Sequence, residues 1–157
     1  MPRRAKRVVK RVAPPDAKYG SVTTAKFINK LMLRGQKATA EHIVYNALEL
    51  AGQQIDSNPA EVLEQAIRSA TPLLRVKPRR VGGATYQVPV EVERDQGRSL
   101  AMKWLVTSAR ARSGKSMEEK LAAELVDAIQ DRGATMKRRS DLHKMAEANK
   151  AFVHYRW

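Results

Sequence analysis

The stretch LLRVKPRRVGGATYQVPVEV, residues 73–92, decides the fold prediction for this chain. Polar and apolar side chains alternate here with a period of two on both sides of Val81-Gly82-Gly83. Alternation of this kind around a glycine turn is typical of two antiparallel strands joined as a β-hairpin. The sequence therefore predicts a hairpin at about residues 73–92.

The register of this hairpin depends on the length of its turn. A two-residue turn at Gly82-Gly83 would mix basic and apolar side chains on both faces of the ribbon. A three-residue loop pairs Arg80 with Ala84 and separates the side chains into one basic and one apolar face. Because a slip of one residue moves every side chain to the opposite face, we predict the three-residue loop.

The sequence on both sides of the hairpin has the apolar period of three to four residues that is typical of helices. A first helix is expected to begin near Val22 and to end at Gly35, a residue type common just after the last helical turn. Two later helix starts are marked by Asn58-Pro59 and by a capping box that opens at Ser116. We expect a mainly α fold with about six helices and one protruding β-hairpin between the third and fourth helices.

Residues 1–15, MPRRAKRVVKRVAPP, are predicted to form a basic flexible arm that precedes a single domain at residues 16–157. The pair Pro14-Pro15 blocks a continuing helix and biases the backbone toward an extended form. An organelle presequence, which is also Arg-rich and poor in acids, is the weaker alternative. The Pro pair and the shortage of Ser favour the arm.

The composition excludes several classes of protein. The chain has 157 residues, a formal charge of +14 at pH 7 and no Cys. No apolar run approaches the ~20 residues of a membrane-spanning helix, and no short apolar stretch follows the basic start as in a signal peptide. Without Cys, disulfides, thiol chemistry and a zinc ribbon are excluded. We therefore expect a cytoplasmic protein without a membrane partner.

The positive charge is clustered, which favours a polyanionic partner. Residues 1–11 hold six cations and residues 75–80 hold four, with no acid in either segment. These two segments carry +10 of the net +14, and two lesser acid-free groups follow the hairpin. The candidate residues for contacts with this polyanion are Arg3, Arg4, Lys6, Arg7, Lys10, Arg11, Arg75, Lys77, Arg79, Arg80, Lys103, Arg110, Arg112, Lys115, Lys137, Arg138 and Arg139.

No enzyme site can be assembled from the sequence. His42, His143 and His154 lack metal-ligand spacing, so surface or packed histidines are the better interpretation. Gly114-Lys115-Ser116 is similar to the end of a phosphate-binding P-loop, but Ala109 stands where that motif needs its first glycine. We therefore expect no catalysis, no cofactor, no metal and no small-molecule substrate.

The hairpin cations have a spacing that suits a nucleic-acid backbone. Arg75, Lys77 and Arg79 share one face and project about 6–7 Å apart, because each strand residue rises ~3.3 Å. That distance is close to the spacing of successive phosphates along one strand of a nucleic acid. A charged face that only keeps an exposed ribbon soluble is the alternative, but four cations without an acid exceed what solubility needs.

The C-terminal aromatic residues Phe152, His154, Tyr155 and Trp157 could stack on bases together with Arg156. Such a terminal cluster more often packs back on its own domain, and we favour that interpretation. The hairpin has few aromatic residues, so recognition of backbone and shape in a folded RNA fits better than base readout.

Two other classes of function stay open at this point. An architectural DNA-binding protein would use the hairpin in the minor groove, but such arms usually carry an apolar or Pro wedge at a tip that here is Val-Gly-Gly. A protein-interaction scaffold whose basic charge is incidental would bind neither DNA nor RNA.

The chain resembles the bacterial small-ribosomal-subunit protein seven family along nearly its full length. The matching segments, in order, are PDAKYGS (15–21), KFINKLM (26–32), KPRRVGGATYQVPVEV (77–92), MKWL (102–105), RSGKSM (112–117) and KMAEANKAFVHYRW (144–157).

The resemblance implies a structural constituent of the small ribosomal subunit that binds the 3′ major domain of 16S rRNA and nucleates assembly of the subunit head. It implies that the arm cations, the hairpin cations and the pair Arg112 and Lys115 face rRNA. It also implies that the hairpin tip, Val81, Gly82, Gly83 and Ala84, lies toward the exit-site tRNA and the mRNA. The protein partners implied are small-subunit proteins nine and eleven.

Overall fold

The computed structural model describes residues 13–114 and 116–155 of the chain. Residues 1–12, which make up most of the predicted arm, lie outside the described residues, as do Lys115, Arg156 and Trp157. In chain order the elements are α1 Val22–Leu31, α2 Lys37–Ile55, α3 Pro59–Ala70, β1 Leu74–Val81, β2 Ala84–Glu91, α4 Arg94–Ala111, α5 Met117–Ile129, α6 Gly133–Ala148 and a C-terminal 3₁₀ helix Lys150–Tyr155.

The mainly helical prediction is confirmed, and so is the place of the hairpin between α3 and α4. Both predicted N-caps are present. The Asn58 side chain accepts from the Ala60 N–H, and the Ser116 side chain accepts from the Glu119 N–H. The predicted end of the first helix at Gly35 is wrong, because α1 already ends at Leu31. Gly35 instead lies in the turn to α2, with a positive φ of 78°.

The core is built around α5, which packs against α2, α3, α4 and α6. Leu121 and Leu125 of α5 are completely buried, as are Leu48 of α2, Leu63 of α3 and Leu105 of α4. Replacing one such leucine by alanine typically costs about 2–5 kcal/mol of stability, because a cavity remains. This helical body is the support from which the hairpin extends.

The predicted register of the hairpin is wrong. Val81 pairs with Ala84 and Arg80 with Thr85, so the connection is a two-residue turn at Gly82-Gly83. The two glycines have φ of 56° and 92°. Positive φ at both central positions is what a type I′ turn requires, and this turn matches the twist of antiparallel strands.

The prediction failed because it assumed that the ribbon has one apolar and one polar face. Consecutive residues of β2, Val88 and Pro89, are both buried although their side chains point to opposite faces. The ribbon is covered by α6, which packs against both strands, and by the 3₁₀ helix, which packs against β2. With apolar contacts on both faces, the geometry of the turn decides the register.

Among the described residues, no helix is both long enough and apolar enough to cross a lipid bilayer.

Candidate nucleic-acid interface

A basic groove runs between α1, α4 and the base of β1. Two adjoining depressions of about 410 and 430 Å³ form it, and they share Lys30, Asp95 and Ser99. The cations along the groove are Lys26, Lys30, Arg75, Arg98 and Lys103, and its acids are Glu93 and Asp95. Five positive against two negative groups leave +3 in a concave surface. A concave surface with a net positive charge attracts an anion.

The groove is assembled from three elements that are distant in the sequence. Lys26 and Lys30 are exposed, one turn apart on α1, and Arg98 and Lys103 project from α4. Arg75 enters from β1 and is half-buried, and its Nε has no hydrogen-bond partner in the described part of the chain. A buried donor without an internal acceptor is satisfied by water, by an ion or by a bound partner.

The other hairpin cations divide between the two faces of the ribbon. Lys77 and Arg79 lie on the same face of the ribbon as Arg75. In the register set by the two-residue turn, Lys77 pairs across the ribbon with Val88, and Arg79 pairs with Tyr86. Both cations are half-buried. Arg80 is exposed on the other face. The predicted stripe of three cations on one face is therefore present, but it shares that face with apolar side chains.

The hairpin tip is exposed at Gly82, Gly83 and Ala84, and Val81 is partly covered. A Cβ built at either glycine would have no heavy atom within 4 Å. The tip is thus free of contacts that would hinder a macromolecule from approaching it.

Three of the predicted contacts, Arg110, Arg112 and Arg139, form hydrogen bonds with other parts of the protein, although Arg110 is itself exposed. Arg110 donates to the Leu31 carbonyl at 2.9 Å and so ties α4 to the end of α1. Arg139 of α6 donates to the Ser69 carbonyl of α3 and lies 3.4 Å from the Asp131 carboxylate. Arg112 is the most enclosed of the three and is paired with two carboxylates.

The pKa of Arg112 is raised above its usual value by these two carboxylates. Burial acts first and in the opposite direction, because it disfavours the charged form. The hydrogen bonds to Asp127 and Glu124 outweigh that effect. The charge of Arg112 is thus compensated within the fold by Glu124 and Asp127.

Two cations of α6 are available to a partner. Lys137 and Arg138 lie in the first two turns of α6 and are exposed. Neither forms an ion pair with another described residue. They and Arg80 have the exposure that contacts with phosphates require.

The arm cations Arg3, Arg4, Lys6, Arg7, Lys10 and Arg11 lie outside the described residues, so they stay a prediction. The segment that follows the arm is fixed by Asp16, whose carboxylate is 7% exposed. It accepts from the backbone of Lys18 and Tyr19 and from the Tyr45 hydroxyl at 2.5 Å. Burial and this hydrogen bond raise the pKa of Tyr45 to about 12. The described segment at Asp16 is therefore tied to α2 through Tyr45.

Of the C-terminal aromatic residues, Phe152 and Tyr155 pack back on the hairpin, in agreement with the interpretation that we favour. Tyr86 of β2 lies 5.0 Å from Phe152 and 5.4 Å from Tyr155 between ring centroids. The ring centroids of His154 and Tyr155 lie 4.0 Å apart. Tyr86, Phe152 and Tyr155 form what we call the aromatic cluster, which holds the 3₁₀ helix to β2. Arg156 and Trp157 lie outside the described residues.

Sequence reasoning missed Lys26, Lys30 and Arg98 as members of the interface. The signal available was the spacing of four residues that places Lys26 and Lys30 on one side of α1. A second signal is that both lie in the acid-free stretch 17–40, which holds five cations, although residues 12–74 as a whole balance six cations against six acids. Among the described residues, no group of His, Asp or Glu could hold a metal ion.

Comparison with known proteins identifies several full-length relatives. A family model described as ribosomal protein S7p/S5e matches residues 2–150. The small ribosomal subunit protein uS7 of Thermomicrobium roseum is 59% identical over 157 residues, which is 100% of both chains. That of Chloroflexus aggregans is 59% identical over 155 residues, 99% of this chain and 98% of the relative. That of Dehalococcoides mccartyi strain 195 is 55% identical over 157 residues, 100% of both chains.

Proposed function

Because this chain belongs to the ribosomal protein S7p/S5e family and is a non-enzymatic structural constituent of the small ribosomal subunit, we propose that it is a primary binder of 16S rRNA. Its target is the 3′ major domain, and its binding nucleates assembly of the subunit head. The observation that carries the proposal is the basic groove, where cations from α1, α4 and β1 converge with a surplus of +3.

The mechanism is binding without chemistry. Side chains of the groove, the hairpin and the arm neutralise phosphates and release condensed counterions, which drives association. Because the cations come from separate elements of a rigid helical body, they hold several rRNA helices in one relative geometry. Few aromatic side chains are free for stacking, since Tyr86, Phe152 and Tyr155 contact one another. Affinity therefore comes chiefly from backbone and shape recognition.

The exposed hairpin tip supports a second part of the proposal. In the assembled subunit the residues Val81 to Ala84 lie toward the exit-site tRNA and the mRNA path. Small-subunit proteins nine and eleven are the neighbours proposed from the family resemblance.

The salt dependence of rRNA binding tests this function. Neutralising about eight phosphates gives a log–log slope of affinity against salt on the order of −6. A slope near zero for an rRNA fragment of the head-domain junction would contradict the electrostatic mechanism. Competition with duplex DNA is the control, because an architectural DNA-binding protein would prefer the duplex and a protein scaffold would bind neither.

A further inference from the structure

We propose that a second depression, between α3 and α4, holds a nucleotide of the bound rRNA with its phosphate on three arginines. This depression, which we call the arginine pocket, has a volume of about 400 Å³. It is lined by Glu64, Arg68, Thr71, Leu73, Arg94 and Arg98. None of its three arginines is among the contacts predicted from the sequence. The inference rests on the proposed function, because it adds a separate contact with the same RNA.

The arginine pocket is formed by two rows of charged side chains on neighbouring helices. Glu64 and Arg68 lie one turn apart on α3, and Arg94 and Arg98 lie one turn apart on α4. Residues four apart on a helix lie on the same side, with about 5–6 Å between their Cβ atoms. Because α3 packs against α4, the two rows border one depression.

The close approach of the chain at the base of the pocket depends on Gly97 of α4. A Cβ at Gly97 would lie 3.0 Å from Cγ2 of Thr71. The Thr71 hydroxyl donates to the Ile67 carbonyl at 2.6 Å, and the Leu73 N–H donates to Nε2 of His143 at 3.1 Å. These two donors are used within the protein, so the donors offered to a ligand are the guanidinium groups.

The charge of the arginine pocket favours an anion. Three guanidinium groups and one carboxylate leave +2 in the depression. The Glu64 carboxylate lies 3.9 Å from the nearest terminal nitrogen of Arg98, which is too far for a hydrogen bond. Arg68 and Arg94 are exposed, and neither forms an ion pair with another described residue. The three arginines therefore keep their donors available to a partner.

The position of Arg94 shows that this cation does not serve its own helix. Arg94 is the first residue of α4, where the helix dipole disfavours a positive side chain. Asp95, the acid in the same turn, lines the basic groove and not the arginine pocket. An anion bound in the pocket would relieve the unfavourable charge at Arg94.

Two features favour RNA over an acidic protein segment as the occupant. Arg98 lines both the basic groove and the arginine pocket, so an RNA strand bound in the groove can continue into the pocket along one positive surface. Leu73, which is 72% exposed, places an apolar side chain beside the arginines, where a ribose or a base can pack. The planar donors of arginine also match the oxygens of a phosphate.

The first experiment measures the affinity for a 16S rRNA head-domain fragment across a range of salt concentrations. The double variant Arg68→Gln with Arg94→Gln should make the log–log slope less negative by about 0.7–0.9, the value for one lost phosphate contact. The double variant Lys144→Gln with Lys150→Gln is the matched control, because it removes the same charge from exposed positions outside the groove and the pocket. Its slope should stay unchanged. An unchanged slope in the arginine variant would overturn the proposal and leave the pocket to an acidic protein segment. An equal change in both variants would overturn it as well.

The second experiment locates the RNA directly. The chain has no Cys, so Glu64→Cys provides a single thiol for an iron chelate that cleaves nearby RNA. The bound rRNA fragment should be cut, and cleavage should weaken when Arg68→Gln and Arg94→Gln are added. Gln53→Cys is the control, because it lies in a depression of α2 that is lined by the acids Glu49 and Asp56 and by no cation. Absence of cleavage from position 64 would overturn the proposal, whereas a flat salt dependence of the unmodified chain would overturn the proposed function itself.

Discussion

The hairpin is expected to depend on the aromatic cluster, so Phe152→Ala should destabilise β1 and β2 selectively. A two-stranded ribbon is only marginally stable alone in water. Phe152 supports it from the 3₁₀ helix by packing on Tyr86 of β2, with ring centroids 5.0 Å apart and ring planes inclined by 43°. The same ring also lies 6.5 Å from Tyr155, with an interplanar angle of 16°.

The expected magnitude follows from these two ring contacts. An aromatic pair contributes about 0.5–1.5 kcal/mol beyond the area that it buries. Losing both pairs removes about 1–3 kcal/mol from the local stability of the hairpin. That corresponds to roughly 5- to 150-fold more frequent opening of the ribbon. The core helices lie outside the cluster and should open at an unchanged rate.

Amide hydrogen exchange measures this difference segment by segment. In Phe152→Ala, exchange should accelerate in peptides from residues 74–91 and stay constant in peptides from α2 and α5. Phe152→Tyr is the matched control, because it keeps the ring and should exchange within about twofold of the unmodified chain. The reasoning would be refuted by unchanged exchange in the hairpin, or by an equal acceleration in all segments.

Three further changes test the site and the fold. Changing Arg75, Lys77 and Arg79 together to Ala should make the log–log salt slope of rRNA binding less negative by about 2–3. The circular dichroism of the helices should stay constant. An unchanged slope would mean that these cations serve solubility alone. Because the pKa of Tyr45 is raised to about 12, the folded state holds the phenol proton more tightly than the unfolded state. The free energy of unfolding should therefore fall as pH rises from 10 toward 12, and Tyr45→Phe should flatten that fall in denaturant titrations. Gly83→Val should reduce the stability of the hairpin by about 1–2 kcal/mol, measured by amide hydrogen exchange. The loss comes from the backbone φ of +92° at Gly83, because a Cβ there would meet no neighbouring atom within 4 Å.

Local signals in the sequence predicted local structure well. Asn58 and Ser116 cap their helices because an N-cap needs only a side-chain oxygen and the next few backbone N–H groups. The position of the hairpin followed from its period and from the glycine pair. The register of the hairpin could not be predicted in this way. Val88 and Pro89 are both buried by α6 and the 3₁₀ helix, which come later in the chain.

The candidate site was less predictable than the fold, because tertiary contacts create it. Lys30 and Arg75 are 45 positions apart and line the same groove only after α1 and β1 have packed beside α4. A charge count over residues 12–74, where six cations balance six acids, does not detect Lys30, although this lysine lies in an acid-free stretch at residues 17–40.

The partners of each cation separate recognition from architecture in this protein. Arg110, Arg112 and Arg139 all belong to acid-free groups in the sequence, yet each donates to a carbonyl or carboxylate of another element. Arginine suits this task, because its planar donors can join several acceptors at once. Exposed cations such as Arg80 and Lys137 meet no internal acceptor in the described part of the chain. Phosphate binding should therefore depend chiefly on the cations without an internal partner, while the paired arginines connect elements of the fold.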